Sequence, residues 1–447
     1  MKRKMVTESL SQPIFLRTKL VVPELKPTLV ARPRLLELLA GAAPGCLTLV
    51  MAPAGFGKTT LLAQWAAHTP AKVAWLSLDE GDNDPARFWR YLGEALHRGA
   101  APLSEVLRAH LTTLTSHNWE QILALLLNEL AAKGEPLAIV LDNYQRIHNE
   151  LIQSSLSFFL RRQPAAVRLL IGTRTAPPLA LARLCAQGRL QELRAADLRF
   201  RPAETAAFLG RSLPYKLPAD ELACLSQRLN GWAAGLQLAA HELAGRPTPA
   251  RAGFSRNLDG TRPYLFAYLR DEVWRPQPEP VRQFLLQTAC LPTLTPSLCE
   301  AVTGQEDAGL MLRQLADAEL FVQRLDSGGH WFQYEPLFAD MLRELLAAEA
   351  PALRPELEGR AAAWYAARGM GETETLRNRP VPECLTEREW QILCLIAEGL
   401  SNKQIAEDLY IAVGTVKGHV NHLLGKLSAQ NRTEAVALAR AQGLLAP

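Results

Sequence analysis

The sequence predicts a multidomain fold class, in which an α/β region built on a parallel sheet precedes regions made of helices. Two observations predict it. An apolar run at Leu47–Met51 is followed by a glycine-containing loop and then by a helical run that begins at Leu61, which gives the order strand, loop, helix. Near the other end, residues 385–435 carry three short amphipathic helical patterns joined by turns. A chain of 447 residues has room for both regions and for further domains between them.

The loop after the first strand has the residue types of a phosphate-binding loop. Gly55 and Gly57 let backbone amides turn toward phosphates, Lys58 can reach the β- and γ-phosphates, and the Thr59 hydroxyl is a Mg²⁺ ligand. Ala52 stands where the general consensus has glycine. The loop predicts bound ATP or ADP with Mg²⁺, and a chance glycine turn is the alternative. The candidate nucleotide-binding residues of the loop are Ala52, Gly55, Phe56, Gly57, Lys58, Thr59 and Thr60.

Three further apolar runs predict strands beside the first: Val73–Asp79, Leu137–Asp142 and Leu169–Arg174. Their alternation with helical segments predicts a parallel sheet with the site at its carboxyl edge. Asp142 ends its strand where a Walker B carboxylate holds Mg²⁺, and Arg174 ends another where a γ-phosphate sensor would lie. A solvent contact for Asp142 and a surface ion pair for Arg174 are the alternatives.

The helical patterns near the other end predict a helix-turn-helix. Thr386–Glu389 and Ser401–Gln404 are capping boxes, and Gly399 stands at a left-handed C-terminal position. After a turn at Tyr410–Gly414, a third helix buries a stripe that begins at Val416. In a helix-turn-helix, the opposite face of this helix enters the major groove. The candidate DNA-binding residues are Asn402, Lys403, Thr415, Val416, Lys417, Gly418, Asn421 and His422.

This block resembles the LuxR-type DNA-binding domain. The resemblance rests on the elements LTERE, GLSNKQIA, TVKGH and KLSAQNRTEA, and it implies double-stranded DNA as a partner. The alternative is a three-helix packing module without a DNA role. Family members usually have Ser at the position of Ala412, where its hydroxyl caps the recognition helix. Ala cannot make this hydrogen bond, and the loss destabilises the helix by about 1 kcal/mol. Basic and acidic residues of the block roughly balance, so useful affinity is expected to need several copies side by side.

Longer stretches resemble the MalT-type regulators, which are signal-transduction ATPases of the STAND class. The resemblance rests on TKLVVP, LVARPRLLELL, APAGFGKTTLLAQW, WLSLDEGDNDPARFWRYL, GWAAGLQLAA and WFQYEPLFADMLRELL. It implies an ADP-off, ATP-on switch that works by self-association into a homo-oligomer, with RNA polymerase as a candidate partner. It also implies that Arg32 lies near the adenine, although a surface charge at a helix start is an equal alternative.

Three departures from that family affect the predicted activity. Asn143 stands where the family usually has a second acidic residue, and an amide is a poor base, so Asp142, Asn143 and Arg174 are expected to support only slow hydrolysis. Glu335 replaces a histidine that contacts ADP in the wider class, and a carboxylate would repel a diphosphate unless it points to solvent. The helical-repeat sensor of the family is expected to be absent, and a helix at Ala361–Met370 followed by a polar linker with two prolines is predicted in its place.

The predicted domains follow from these assignments. Residues 1–200 form the P-loop ATPase domain with an N-terminal arm, residues 201–275 a helical domain, and residues 276–350 a winged helix, for which a second DNA-binding module is the alternative. Residues 351–383 are helix and linker, and residues 384–447 are the LuxR-type domain. Large apolar side chains between the two motifs are assigned to the core: Trp232, Leu236, Phe284, Phe321 and Phe338.

Composition excludes several classes of protein. With 48% hydrophobic and 21% charged residues and a net charge of +4, the chain is neither disordered nor a polybasic nucleic-acid coat. Its seven cysteines have no CxxC spacing, so no metal or disulfide framework is expected. The polar residues after Met1–Lys4 argue against export, and a cytoplasmic, nucleoid-associated protein without a membrane partner is predicted. A P-loop ATPase enzyme, or a sensor-less decoy that binds DNA or a full-length relative, remain alternatives to the regulator.

Overall fold

The computed structural model describes residues 15–26, 29–99, 102–245, 262–326, 328–367, 385–397, 399–409, 413–427, 429 and 431–441. The chain divides between Leu265 and Phe266 into two compact units. The predicted linker around Pro380 and the predicted cap position Ala412 lie outside the described residues. Of the helices described, none combines the length and the apolar character that a membrane span requires.

A five-stranded parallel sheet forms the centre of the first unit, in the order β2-β3-β4-β1-β5. The strands are β1 Leu47–Met51, β2 Lys72–Ser77, β3 Leu137–Asp142, β4 Val167–Thr173 and β5 Leu190–Leu193. Every residue of β1 and β3 is buried, which explains why both are continuous apolar runs rather than alternating ones. The parallel sheet predicted from the sequence is confirmed, and β5 is an additional edge strand.

Helices connect the strands of the first unit and follow the last of them. They are α1 Pro33–Ala40, α2 Lys58–His68, α3 Pro85–Gly99, α4 Glu105–Thr112, α5 Trp119–Lys133, α6 Glu150–Arg162, α7 Leu181–Ala186, α8 Ala195–Leu198, α9 Pro202–Ser212, α10 Ala219–Leu229 and α11 Ala233–Gly245. Short 3₁₀ turns lie at Arg17–Lys19, Glu80–Asn83 and Tyr144–Arg146. Helix α3 packs on β2, and α2 packs on β4. A single hydrophobic core runs from β1 to α7, so the carboxyl edge of the sheet is held rigidly.

The second unit begins with helices and a small hairpin. Its elements, with the helix that crosses the division between the units, are α12 Arg262–Leu269, a π-helical turn Arg270–Trp274, α13 Glu279–Gln287, α14 Pro296–Thr303, α15 Ala308–Asp317, β6 Val322–Arg324, β7 Phe332–Tyr334, α16 Pro336–Glu349 and α17 Leu353–Ala367. Strands β6 and β7 are antiparallel, and Leu294 adds a bridge to Phe332. Three helices followed by a two-stranded wing is the order of a winged helix. Phe284, Phe321 and Phe338 are buried in it, as predicted.

Among the residues described after Ala367, four more helices lie in the second unit: α18 Glu387–Ala397, α19 Asn402–Asp408, α20 Val413–Leu427 and α21 Arg432–Ala441. Both predicted capping boxes are present. Thr386 N donates to Glu389 Oε2 at 2.7 Å while Glu389 N donates to Thr386 Oγ1 at 3.3 Å, and the Ser401 and Gln404 pair repeats this at 2.9 and 3.4 Å. Gly399 has a φ of +86°, which confirms the left-handed end of α18. The helix α20 begins inside the predicted turn, at Val413.

Candidate functional site

The loop between β1 and α2 has the shape that a phosphate-binding loop needs. Gly55 and Gly57 both have a φ of +80°, a backbone conformation that glycine adopts without strain. Helix α2 begins directly after them, at Lys58, so its first amide groups point into the loop. The N-terminus of a helix carries a partial positive charge and unpaired N–H groups, and both favour a bound anion.

Lys58 is buried within this loop, with 8% of its surface exposed. Its Nζ donates to the carbonyl oxygens of Ala52 at 2.7 Å and Pro53 at 2.8 Å. Burial, together with the charge of Arg174, lowers the pKa of Lys58 to about 8, and the charge of Asp142 opposes this shift. The ammonium group is therefore held in a poorly solvated, positively charged pocket, where a phosphate would be a strong partner.

Thr59 and Asp142 meet at the carboxyl edge of the sheet, although their positions are far apart in the chain. Thr59 Oγ1 donates to Asp142 Oδ2 at 2.7 Å. Asp142 is 1% exposed, so the solvent contact considered as its alternative is wrong. Burial raises the pKa of its carboxyl group, and hydrogen bonds from Thr59 and the Asn143 backbone oppose this.

The second carboxylate oxygen makes this pair suitable for a cation. Among the described residues, no hydrogen-bond partner satisfies Asp142 Oδ1, which is fully buried. A hard divalent cation prefers oxygen ligands such as this carboxylate and the Thr59 hydroxyl. Space for the carboxylate depends on Gly172 in β4, because a Cβ there would lie 2.7 Å from Asp142 Oδ1 and 2.9 Å from Leu62. The residues present therefore fit Mg²⁺.

Asn143 and Arg174 lie at the ends of neighbouring strands, and Gln145 bridges them. Asn143 has a φ of +61°, a conformation that Asn tolerates better than most residues. Gln145 Nε2 donates to Asn143 Oδ1 at 3.4 Å, and Gln145 Oε1 accepts from the Arg174 backbone at 3.2 Å. Arg174 is half-buried, and its charge acts on Lys58. The structure thus brings all three predicted catalytic residues, Asp142, Asn143 and Arg174, to one edge of the sheet.

A cavity of about 350 Å³ opens beside the loop. Gly55, Gly57, Thr59 and Thr60 line one side of it. The remaining wall is mostly apolar and includes Leu25, Leu29, Val30, Phe200 and Phe208. A mostly apolar wall next to a few convergent polar groups is typical of a small-molecule site, and the volume is at the lower end of the usual range, as for a nucleoside.

Arg32 belongs to the wall of this cavity and is only 4% exposed, so the surface-charge alternative is wrong. Its guanidinium donates to the Arg199 carbonyl at 2.8 Å, pairs with Glu204 at 3.3 Å and lies 4.5 Å above the Phe200 ring. Burial lowers the pKa of Arg32, while Glu204 opposes that shift. These contacts hold Arg32 in place directly before the first residue of α1.

The N-terminal arm forms another part of the wall through Pro23, Glu24, Leu25 and Lys26. A buried lysine ties the start of this arm to the turn that follows β2. Lys19 Nζ pairs with Asp79 at 3.0 Å and more closely with Asp82, which is fully buried. The same ammonium lies 4.8 Å from the centre of the Tyr91 ring. The arm is therefore a fixed part of the cavity.

The exposed face of α20 carries most of the predicted DNA-binding residues. Thr415, Lys417, Gly418, Asn421 and His422 are all exposed. In α19, Lys403 is exposed and Asn402 is half-buried. The assignment of Val416 to this surface is wrong, because Val416 is fully buried in the core of the module with Leu423. At the other end of α20, Lys426 Nζ pairs with Glu389 at 2.7 Å, which anchors the helix to α18.

Three known families match separate parts of the chain. The AAA ATPase domain family matches residues 31–171, the MalT winged helix domain matches residues 270–354, and the luxR family of bacterial regulatory proteins matches residues 383–439. The HTH-type transcriptional regulator MalT of Cronobacter sakazakii is 37% identical over 346 residues, and that of Klebsiella pneumoniae is 36% identical over 342. Each alignment covers 76% of this chain. Over this aligned part, the chain is similar to the MalT-type regulators.

The chain spans 38% of the length of these MalT relatives. Between the MalT winged-helix match, which ends at residue 354, and the luxR match, which begins at residue 383, there is room for one helix and a short connection. A STAND protein with a tetratricopeptide repeat sensor from Pyrococcus horikoshii has a TM-score of 0.38 and 15% identity over 95% of this chain and 57% of its own. Cdc6p from Pyrobaculum aerophilum has a TM-score of 0.33 and 13% identity over 74% of this chain and 96% of its own.

Glu335 lies in the MalT-type winged helix, directly before Pro336 at the start of α16. It is 7% exposed, so the alternative that it points to solvent is wrong. Its backbone N–H donates to the Phe321 carbonyl at 2.8 Å. From the sequence, the Glu335 side chain could face either solvent or a diphosphate, and the structure shows that it is buried.

Two residues next to the phosphate-binding loop and Asp142 were missed from the sequence. Gly172 makes room for Asp142, and its only sequence signal is a glycine inside an apolar strand, which often marks a close approach. Trp232 is buried, as predicted, but its indole Nε1 also donates to the carbonyl of Ala54 in the phosphate-binding loop at 3.2 Å. A tryptophan in an apolar helical run carries no signal for such a contact.

Proposed function

We propose that this MalT-type chain is an ATP-dependent transcriptional regulator, whose binding to double-stranded DNA follows its ATP or ADP state and its self-association. One observation carries the proposal: a single chain joins a phosphate-binding loop, with the Thr59 and Asp142 pair at its edge, to a luxR-family module whose exposed helix presents Lys417. The MalT relatives named as transcriptional regulators support it. RNA polymerase is the further partner that activation by such a protein requires.

In this proposal the first unit holds the nucleotide. The loop amides and Lys58 bind the phosphates, and the cavity beside the loop takes the nucleoside with Arg32 at its wall. Thr59 and Asp142 would hold Mg²⁺, which supplies charge neutralisation for the phosphates when bound. Residues 1–200 are proposed as the ATPase domain, 201–275 as the helical domain, 276–350 as the winged helix, 351–383 as helix and linker, and 384–447 as the DNA-binding domain.

Hydrolysis serves as a slow switch in this proposal. Asn143 stands beside Asp142, where a base would polarise the attacking water, and its amide cannot accept a proton at neutral pH. Gln145 moreover donates to Asn143 Oδ1, so the oxygen of that amide already has a partner. These contacts favour a protein that retains ATP over one that turns it over, and they argue against an enzyme whose product is ATP turnover.

Glu335 is proposed to weaken the ADP-held state. A carboxylate at the start of α16 cannot donate to a diphosphate as a histidine can, and its negative charge would repel phosphate. ATP alone, with no small-molecule inducer, is then sufficient for self-association.

The test is to measure mass by light scattering and DNA binding by fluorescence anisotropy, with ATP, with ADP and without nucleotide. We expect oligomers and specific DNA binding with ATP, and monomers with little DNA binding under the other two conditions. A protein that stays monomeric and does not bind DNA at saturating ATP would contradict the proposal and favour a decoy that binds DNA or a longer relative.

DNA binding should depend on the exposed face of α20. We expect Lys417→Ala to weaken specific DNA binding by about 1 to 3 kcal/mol, because an exposed lysine on a recognition helix contacts a base or a phosphate. Lys216→Ala removes the same charge from an exposed position in the first unit and should leave DNA affinity unchanged. Equal DNA affinity of the Lys417 variant and wild type, with footprints elsewhere, would refute this placement.

A further inference from the structure

The start of α11 and the residue before it donate hydrogen bonds to the backbone of the phosphate-binding loop. Trp232 Nε1 donates to the Ala54 carbonyl at 3.2 Å, and Ala234 N donates to the Gly55 carbonyl at 2.9 Å. We call these two hydrogen bonds the loop clasp. They bind consecutive carbonyl groups of the loop, and carbonyl groups that are held outward leave the intervening amides free to face inward.

The contact is close enough to dictate the residue in the loop. A Cβ on Gly55 would lie 2.6 Å from the Ala234 Cβ and 2.7 Å from Trp232 Nε1. Glycine is therefore required at position 55 for two reasons. Its φ of +80° strains other residues, and a larger side chain would clash with the start of α11. Trp232 itself is 1% exposed, so the indole and the carbonyl it binds are shielded from water.

The same turn is also tied to the wall of the nucleoside cavity. Gly231, with a φ of +67°, accepts a hydrogen bond from the Phe200 backbone at 2.9 Å, and Arg199 donates to the Asn230 carbonyl at 2.6 Å. Phe200 lines the cavity, as do Ala233, Ala234 and Gln237 from α11. One short segment, residues 230–237, thus contacts both the loop and the cavity.

We propose that Trp232 is a positioning residue of the nucleotide site, which acts through Ala54 and couples the docking of α11 to nucleotide affinity. This inference rests on the proposed nucleotide binding and adds the element that regulates it. Because coupling is reciprocal, a nucleotide that needs the clasped loop also strengthens the docking of α11. Any partner that pulls α11 away would release the nucleotide.

The decisive comparison uses two tryptophans with the same chemistry. Trp232→Phe keeps the ring in the core and removes the N–H group that binds Ala54. Trp89→Phe is the matched control, because Trp89 is fully buried and its Nε1 donates to Ser155 Oγ at 2.9 Å, away from the loop. Ala234→Pro is a second clasp variant, since proline in the first turn of α11 removes the N–H group that binds Gly55.

Both tryptophan variants should lose a similar small amount of thermal stability, because each loses one buried hydrogen bond. Only Trp232→Phe and Ala234→Pro should raise the Kd for ATP, by about threefold to tenfold, measured by isothermal titration calorimetry at pH 7. In wild type, ATP should slow amide hydrogen exchange across residues 233–245, and this protection should be smaller in the Trp232 variant.

The outcomes separate the two proposals. ATP affinity that is unchanged in Trp232→Phe and Ala234→Pro, with wild type binding normally, would overturn the role of the clasp and leave nucleotide binding intact. Equal losses of affinity in Trp89→Phe and Trp232→Phe would assign the effect to core stability and also overturn it. A wild-type protein that binds no nucleotide would overturn the proposed function together with this inference.

Discussion

Lys58→Ala should raise the Kd for ATP by at least about 100-fold while leaving the chain folded. Lys58 Nζ binds two loop carbonyl groups in the structure and is the only cation that α2 supplies in its first turn. A charge-assisted hydrogen bond contributes about 1.5 to 3 kcal/mol, and the loss of two such bonds to phosphate corresponds to a factor of at least about 100.

Binding should be measured by calorimetry at pH 7, because the pKa of Lys58 is lowered to about 8 and the wild-type ammonium is then charged. Lys72→Ala is the control. Lys72 is exposed and pairs with the exposed Glu135 at the opposite end of β2, so its loss should leave ATP affinity within about twofold. Undiminished ATP affinity in the Lys58 variant would show that the loop does not hold the phosphates.

The second large effect that we expect is an increase in the rate of ATP hydrolysis. Asn143→Asp should raise the rate of ATP hydrolysis by at least about tenfold, because a positioned general base contributes roughly 10² to 10⁴ when the rest of the site is in place. The substitution fits the fold, since Asp tolerates the φ of +61° at this position and can still accept the hydrogen bond from Gln145.

Single-turnover hydrolysis of radiolabelled ATP separates this effect from product release. Asn143→Ala should be no faster than wild type, which distinguishes a new base from the simple loss of an amide. Adding Asp142→Asn to Asn143→Asp should cancel the gain, because the free oxygen of Asp142 is the feature that suits Mg²⁺. No gain in a variant that still binds ATP would mean that Asn143 does not limit hydrolysis.

The sequence predicted the elements that are buried and locally regular. Strands β1 and β3 begin and end at the predicted residues, because both are continuous apolar runs buried on every side. Edge strand β5 was missed, since its four residues, Leu190–Leu193, include two polar side chains and no apolar run. Helix α17 begins at Leu353, before the predicted Ala361, because Pro355 falls in its first turn, where no N–H donor is needed.

The candidate site was predictable where its residues lie close together in the sequence. The loop residues, Asp142 and Arg174 were found because a strand, its turn and a polar residue are neighbours in sequence. The capping boxes of the luxR-family module were found for the same reason. Contacts such as Trp232 with Ala54 were not predictable, because they depend on how distant segments pack rather than on local pattern. Val416 was grouped with the DNA-binding residues although it begins the predicted buried stripe, and the structure confirms that it is buried.

The loop clasp also bears on how the protein is made. Trp232 and Ala54 are 178 positions apart, so the loop leaves the ribosome long before its outer support exists. At synthesis rates of about 5 to 20 residues per second, the nascent chain carries an unclasped loop for roughly 10 to 35 s. The sheet can assemble in that interval, since its last strand ends at Leu193, but the cavity wall from α11 cannot. With the proposed role of the clasp, nucleotide retention would follow completion of the first 245 residues, and a bound nucleotide would stabilise finished units rather than growing ones.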